Sequence, residues 1–279
     1  MRLTDAGTVK RIMEENGAVF KKKFGQNFLT SENVLARIAE NADEGVLEIG
    51  PGIGSLTDFL CEKAKKVVSV EIDSSLIPIL EKTMADRDNF RLVEGDALKI
   101  DLEKLVADEF PGMSVSVCAN LPYYITTPVL TRLLSCGVPF TNLTVMVQKE
   151  VASRLCAAPG SPEYGAISVF CGYYGKARKI LKVPAGCFVP APKVDSAVVR
   201  IDLFREPPVP GDPEDIFRVV RAAFGQRRKT LSNALSSGLP GVTRQEIADV
   251  LSACGVDQSA RGETLSLTQF AEIAEKLKG

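Results

Sequence analysis

One stretch constrains the fold of this chain more than any other: Val46-Leu47-Glu48-Ile49-Gly50-Pro51-Gly52-Ile53-Gly54-Ser55-Leu56-Thr57. A buried apolar run ends there in closely spaced glycines and a helical pattern begins at once behind them, which reads as strand, tight turn and helix. Glycines suit such a turn because it requires positive φ and lets the backbone approach a ligand that a Cβ would hold off. The helix N-terminus behind it presents free N–H groups. Any doubly wound α/β domain has turns of this kind, but the spacing here is Gly-x-Gly-x-Gly, and Ser55 stands where the dinucleotide fingerprint places its third glycine. The turn therefore points away from a pyrophosphate and towards a smaller adenosyl ligand.

With 279 residues and 45% hydrophobic content, the chain is long enough for one large domain or two unequal ones. Its formal net charge is −1, so no global field advertises a nucleic-acid partner and any basic site must be local. The odd, unpatterned set of 7 cysteines suggests reduced thiols, and a cytoplasmic protein is expected. There is no histidine. That removes imidazole bases, Ser-His-Asp and Cys-His nucleophiles and the commonest zinc ligand together, and no metal is expected. Met1-Arg2-Leu3-Thr4-Asp5 lacks the apolar core of a signal peptide. The uncharged run from Phe110 to Thr131 is broken by Pro111, Pro122 and Pro128, so no membrane span is expected either.

Along the chain, a short amphipathic helix over 9–15 precedes Lys21-Lys22-Lys23, and Thr30 or Ser31 is placed to cap a helix running to about Ala39. Beyond the glycine turn, Val67 to Asp73 reads as a buried strand with carboxylates at its end. Glu71 follows Gly50 by about 20 residues, where nucleotide-binding domains place the acceptor for ribose hydroxyls. Phe90 to Glu94 is a further strand, leading to Gly95-Asp96-Ala97. Glu71 and Asp96 at successive strand ends beside Gly50 describe one site, because open α/β sheets bind ligands at that edge. The strand Ser114 to Ala119 ends in Asn120-Leu121-Pro122-Tyr123-Tyr124, and Thr127-Pro128 reads as N-cap and first residue of the next helix. Strand 143–147, helices 149–157 and 165–173, and extended runs 177–183 and 196–204 follow. The linker Glu206-Pro207-Pro208-Val209-Pro210-Gly211 then opens a helical segment, with starts at Asp212-Pro213-Glu214, Thr243 and the Ser266/Gln269 capping box.

Asn120-Leu121-Pro122-Tyr123 is the sharpest chemical signal. The N6 amine of adenine is a poor nucleophile because its lone pair is delocalised into the ring. Two oxygens accepting its hydrogens favour a pyramidal nitrogen with a directed lone pair. Asn120 supplies one acceptor, and the carbonyl of Leu121 or Pro122 supplies the other. Tyr123 offers a face for the base, worth about 1–3 kcal/mol. No imidazole is needed, since the methylated amine loses its proton to water.

With these motifs in place, the chain resembles the ribosomal RNA adenine dimethyltransferases, in particular the bacterial small-subunit branch. The similarity runs through Phe24-Gly25-Gln26-Asn27-Phe28-Leu29, Glu48-Ile49-Gly50-Pro51-Gly52, Val70-Glu71-Ile72-Asp73, Gly95-Asp96-Ala97, Asn120-Leu121-Pro122-Tyr123, Gln148-Lys149-Glu150-Val151 and Phe188-Val189-Pro190-Ala191-Pro192-Lys193-Val194-Asp195-Ser196. It implies an α/β, class I S-adenosylmethionine-dependent methyltransferase domain over 1–206, Rossmann-like with a seven-stranded sheet, and a small all-α C-terminal domain over 207–279.

By the same resemblance, S-adenosylmethionine would meet Asn27, Leu29, Gly50, Gly52, Glu71, Ile72, Asp96, Ala97 and Asn120, and Phe188 would face Tyr123 as the second aromatic wall of the target-base pocket. The expected substrate is a pair of adjacent adenosines near the 3′ end of 16S rRNA in the small subunit or its precursor, each leaving its stack to react. Lys21, Lys22, Lys23, Arg227, Arg228 and Lys229 are candidates for its phosphates, and a monomer is expected. Ser232 stands where similar proteins lead one to expect another basic residue, so RNA affinity should rest on few contacts or on a preassembled particle. Three rivals stand beside this reading: a large-subunit adenine methyltransferase sharing the Asn120 motif, an assembly factor whose binding outweighs its catalysis, and a nicotinamide dehydrogenase, which has no use for Asn120 to Tyr123.

Overall fold

Short runs of Val, Leu and Ile without polar alternation make strands buried on both faces, and such strands form parallel sheets sandwiched by helices. The computed structural model, which describes residues 3–21, 25–226 and 228–278, follows that rule. In chain order the elements are α1 (Ala6–Glu15), β1 (Phe28–Leu29), α2 (Glu32–Ala39), β2 (Gly45–Ile49), α3 (Ser55–Cys61), β3 (Lys66–Glu71), α4 (Ile77–Thr83), β4 (Phe90–Glu94), α5 (Leu102–Glu109), β5 (Val115–Asn120), α6 (Thr126–Ser135), β6 (Asn142–Gln148), α7 (Lys149–Leu155), α8 (Ala166–Tyr174), β7 (Gly175–Val183), β8 (Phe188–Val189) and β9 (Ser196–Leu203), then helices α9 (Pro213–Gly225), α10 (Leu231–Gly238), α11 (Arg244–Ala253) and α12 (Leu267–Lys276).

The seven-stranded sheet has the order β4-β3-β2-β5-β6-β9-β7. Strands β4 to β6 pair in parallel, and β9 runs antiparallel to β6. This is the mostly parallel, seven-stranded sheet expected from the sequence. The order reverses direction at β2: β3 lies on one side of it and β5 on the other, which creates the crevice that ligands of such sheets occupy. A separate two-stranded sheet pairs Phe28 with Val189 and Leu29 with Phe188.

The chain divides into two compact units, Met1–Ala152 with Ala177–Leu203, and Ser153–Lys176 with Phe204–Gly279. The sequence boundary at 206/207 therefore lies close to the third crossing, at 203/204, while 153–176, counted there with the first domain, groups with the C-terminal helices. The reason is apolar: Phe170 and Tyr173 of α8 put their rings 4.8 and 5.2 Å from that of Phe217 on α9. In the first unit, Leu35 and Ile38 of α2 and Leu56 and Leu60 of α3 pack with Val46, Val67 and Cys118 of the sheet. Val9, Ile12 and Met13 of α1 pack with Phe28, Ile53, Leu76 and Ile79.

Two caps differ from the sequence reading. Ser31 occupies the N-cap of α2 without a side-chain bond, and the Thr30 hydroxyl is instead donated to the Cys187 carbonyl at 3.0 Å. Helix α6 begins at Thr126, a residue before the expected N-cap Thr127, because the Pro122 carbonyl takes the Ile125 N–H at 3.2 Å and the Thr126 hydroxyl at 3.1 Å. The caps at Asp212, Thr243 and Ser266 form as expected.

In the helical unit α9 and α10 approach so closely that a Cβ at Gly238 would stand 2.6 Å from the Ala222 Cβ and 2.8 Å from its Cα. Backbone blocks any relief there. Gly238→Ala should therefore cost about 1–3 kcal/mol through forced separation of the two helices, seen as a lower denaturant midpoint. A midpoint equal to that of the parent would mean that the contact is slack.

Candidate functional site

The register of three parallel strands assembles the site. Ile49 lies opposite both Val70 and Ala119, so the residues that follow, Gly50, Glu71 and Asn120, leave the sheet side by side. Glu71 in turn lies opposite Glu94, and the Gly95 N–H is donated to the Glu71 carbonyl at 2.8 Å, which brings Asp96 to the same edge. Together with Gly25 to Leu29, Ile72, Ala97 and the segment Leu121 to Ile125, these residues line one cleft of about 1020 Å³, including the open solvent at its mouth. All the cofactor contacts named from the sequence meet here: Asn27, Leu29, Gly50, Gly52, Glu71, Ile72, Asp96, Ala97 and Asn120.

The glycine turn is held open by its own backbone. Gly50, Gly52 and Gly54 have φ of 70°, 64° and 94°. A Cβ at Gly52 would collide with the Phe28 ring at 2.7 Å, whereas one at Gly50 would meet nothing within 4 Å, because that position looks into the cleft. Ser55 points elsewhere, donating its hydroxyl to the Leu3 carbonyl at 3.0 Å. Glu71 ties the turn to β3, its carboxylate accepting the Gly52 N–H at 3.2 Å and the Asp73 N–H at 2.8 Å. Burial raises its pKa, opposed by those two N–H donors. Asp96 accepts the Leu98 N–H at 2.9 Å and keeps part of its carboxylate exposed. Asn120 donates its Nδ2 to the Asn27 carbonyl at 3.1 Å, which turns Oδ1 away as an acceptor. The Pro122 carbonyl already receives two donors, the Ile125 N–H and the Thr126 hydroxyl. The half-buried Tyr123 shares a 2.7 Å hydrogen bond with Ser196 at the start of β9, and burial raises its pKa.

Two expectations meet a different geometry. Phe188 is 3% exposed and packs in the core with Leu29, Leu35 and Met146, so its ring does not line the cleft. The β1–β8 pairing turns it to the core side. Lys21 is engaged inside the chain, its Nζ reaching Asp73 at 2.6 Å and the Ser75 hydroxyl at 2.8 Å. Lys22, Lys23, Arg227 and the Phe24 of the first motif lie outside the described residues. Arg228 and Lys229 are exposed, and Arg228 lines a surface groove with Ser161, Arg261 and Glu263. Arg261 was not visible as a partner of Arg228 from the sequence, because a long stretch of chain separates them.

Sequence reasoning gave no separate role to two buried acids. Asp73, 2% exposed, accepts hydrogen bonds from Lys21, Gln26 and Ser75, and although burial pulls the other way these donors hold its pKa below the usual range. It thereby fastens the loop that leads into Asn27. Glu48, 1% exposed on β2, receives the Thr57 hydroxyl at 2.7 Å and the Ser69 hydroxyl at 2.6 Å on one oxygen, while the other is buried without a partner. Desolvation outweighs the two donors and pushes its pKa up to about 7. Among the described residues, no group of three or more acids and cysteines is placed to hold a metal ion, and no helix is long and apolar enough to cross a membrane.

Glu48 makes a signed pH prediction. The unfolded carboxyl ionises near 4.5 and the folded one near 7, so its contribution to stability is complete below about pH 4.5 and is lost as pH rises through 7. That loss is at most about 3 kcal/mol. Glu48→Gln keeps an acceptor for Thr57 and Ser69 without the proton, so between pH 5 and 8 it should lose less stability than the parent in urea denaturation. Equal slopes would place the buried proton elsewhere.

Comparison with known proteins places this geometry. The family model described as ribosomal RNA adenine dimethylase matches residues 17–278. A protein named ribosomal RNA small subunit methyltransferase A from Alkaliphilus metalliredigens is 45% identical over 281 residues, covering 99% of this chain and 98% of its own length. Its namesake from Geobacillus kaustophilus is 47% identical over 279 residues, with 97% and 95% covered. Among solved structures, a dimethyladenosine transferase from Plasmodium falciparum superposes with a TM-score of 0.73 at 27% identity, covering 88% of this chain and 95% of its own. The 23S rRNA methyltransferase ErmE superposes with a TM-score of 0.68 at 28% identity, covering 91% and 100%.

Proposed function

This chain belongs to the ribosomal RNA adenine dimethylase family, and from that premise we propose that it methylates N6 of two adjacent adenosines near the 3′ end of 16S rRNA, in the small subunit or its precursor. The observation that carries this reading is that Gly50 and Asn120, each directly after the paired Ile49 and Ala119 at the ends of β2 and β5, line one cleft, which sets an adenosyl-sized space against an amide acceptor. The small-subunit target is favoured over the large-subunit one by identities of 45% and 47% to small-subunit enzymes, against 28% to the 23S enzyme. The same reading has the protein act as a monomer in the cytoplasm.

S-adenosylmethionine, when bound, supplies an electrophilic methyl group. The cleft suits it on the chain's own terms: open space over Gly50 where a Cβ would intrude, and carboxylates at two strand ends for polar groups of an adenosine. Glu71 would accept ribose hydroxyls and Asp96 the adenine amine, with Ile72 and Ala97 flanking the ring and Asn27, Leu29 and Gly52 closing the cleft. For the target, Asn120 Oδ1 and the Leu121 carbonyl accept the two N6 hydrogens, so the nitrogen pyramidalises and its lone pair points along the cleft. Asn27 fixes the amide orientation on which this depends. Tyr123 stacks on the extruded base, its hydroxyl anchored by Ser196. The proton leaving the methylated nitrogen goes to solvent, so the absence of histidine costs the reaction nothing.

Transfer of tritium from S-adenosylmethionine to undermethylated small subunits, compared with large subunits, tests the assignment. Small subunits should accept two methyl groups on each target adenosine. Asn120→Ala should lower kcat by about 10²–10³, the cost of one preorganised polar group. A single-turnover rate within threefold of the parent would remove Asn120 from the chemistry.

Phosphate binding is assigned to Arg227, Arg228 and Lys229, supported by the exposure of Arg228 and Lys229 and by the groove that Arg228 shares with Arg261. Replacing the three by alanine should weaken small-subunit binding and flatten the slope of log K against log salt by about two to three units, with cofactor affinity untouched. An unchanged slope would assign these charges to solubility alone.

A further inference from the structure

The aromatic rings of the cleft are unequally occupied. Phe28 is buried against Gly52, with its ring 5.6 Å from that of Phe20. The Tyr123 hydroxyl is bound by Ser196, and Phe188, expected here from the sequence, lies outside the cleft in the core. Tyr124 differs from all three. It lines the same cleft yet is 55% exposed, and its hydroxyl makes no hydrogen bond to another described residue. One flank of its ring faces Gly25, where a Cβ would stand 3.4 Å from Cδ1 and 3.7 Å from Cε1. Neither packing nor hydrogen bonding within the chain accounts for a tyrosine at this place.

We propose that Tyr124 is a stacking platform for the nucleobase adjoining the one being methylated, so that the neighbouring adenosine rests on this ring while its partner occupies the Asn120 pocket. The proposal rests on the functional reading above and extends it to a second base. Drawing one base from a strand strips its neighbour of a stacking face, and an aromatic ring at the pocket rim replaces it. Tyr124 follows Tyr123 directly in the chain and lines the same cleft. Its phenol stays neutral: burial, and then the negative charges of Asp96 and Glu71, raise its pKa, so no charge meets the phosphodiester. With Phe188 in the core, Tyr124 is the exposed ring that the cleft offers among the described residues.

The test compares the parent, Tyr124→Ala and Tyr124→Phe on undermethylated small subunits, with calorimetry of S-adenosylmethionine binding in the absence of RNA. Tyr124→Ala should raise KM for subunits about tenfold with kcat within threefold, at the lower part of the range for one lost stack. Tyr124→Phe, which keeps the ring, should restore KM to within twofold. Melting temperature and cofactor affinity should match the parent, since the side chain is exposed. Four outcomes overturn the proposal: KM unchanged in the alanine variant, a loss that phenylalanine does not rescue, a lower melting temperature, or weakened cofactor binding without RNA, which would give the ring to the cofactor. Failure of the functional reading would look different, because the parent itself would then leave small subunits unmethylated.

Discussion

Everything at the site depends on the register of β2 against its two parallel neighbours. Because Ile49 pairs with Val70 on one side and Ala119 on the other, three strands end at the same level, and the residues that leave them are Gly50, Glu71 and Asn120. Parallel pairing makes this possible, since all three carboxyl ends face one way. A shift of one residue would turn every β2 side chain to the other face of the sheet and take the buried Glu48 carboxylate away from the Thr57 and Ser69 hydroxyls.

The register also explains why carboxylates are buried beside an apolar core. Glu48, Glu71 and Asp73 are each nearly inaccessible, and such groups are costly unless they accept hydrogen bonds. Glu71 uses its oxygens on the Gly52 and Asp73 N–H groups, so its burial shapes the glycine turn. Asp73 gathers Lys21, Gln26 and Ser75 and holds the loop that delivers Asn27, whose carbonyl orients the Asn120 amide. A chain of polar contacts therefore runs from β3 through the N-terminal loop to the end of β5. Glu48 is the least satisfied of the three, with one oxygen unpartnered, and its raised pKa follows from that.

The chemistry assigned to the cleft fits a chain without histidine. Methyl transfer to an adenine amine asks for aligned acceptors and an oriented base rather than a proton relay. In the structure the Pro122 carbonyl is taken by two donors, and the Tyr123 hydroxyl is bound by Ser196 while that of Tyr124 makes no hydrogen bond to another described residue. Family membership adds the class of target without altering any of these contacts.

The sequence by itself determined the strand-turn-helix at Gly50, the carboxylates at successive strand ends, the Asn120 motif and the helical C-terminal segment, because each is a local pattern whose hydrogen bonding or backbone torsion is decided by near neighbours. Only the tertiary structure decided the fates of Phe188, Lys21 and residues 153–176. Phe188 turns to the core through its pairing with Leu29, far away in the chain. Lys21 is claimed by Asp73 at the end of a distant strand. The segment 153–176 goes with the C-terminal helices because Phe170 and Tyr173 find Phe217 there. Aromatic and cationic side chains read alike in sequence whether they face ligand, solvent or core, and what separates them is a partner remote along the chain, which only packing supplies.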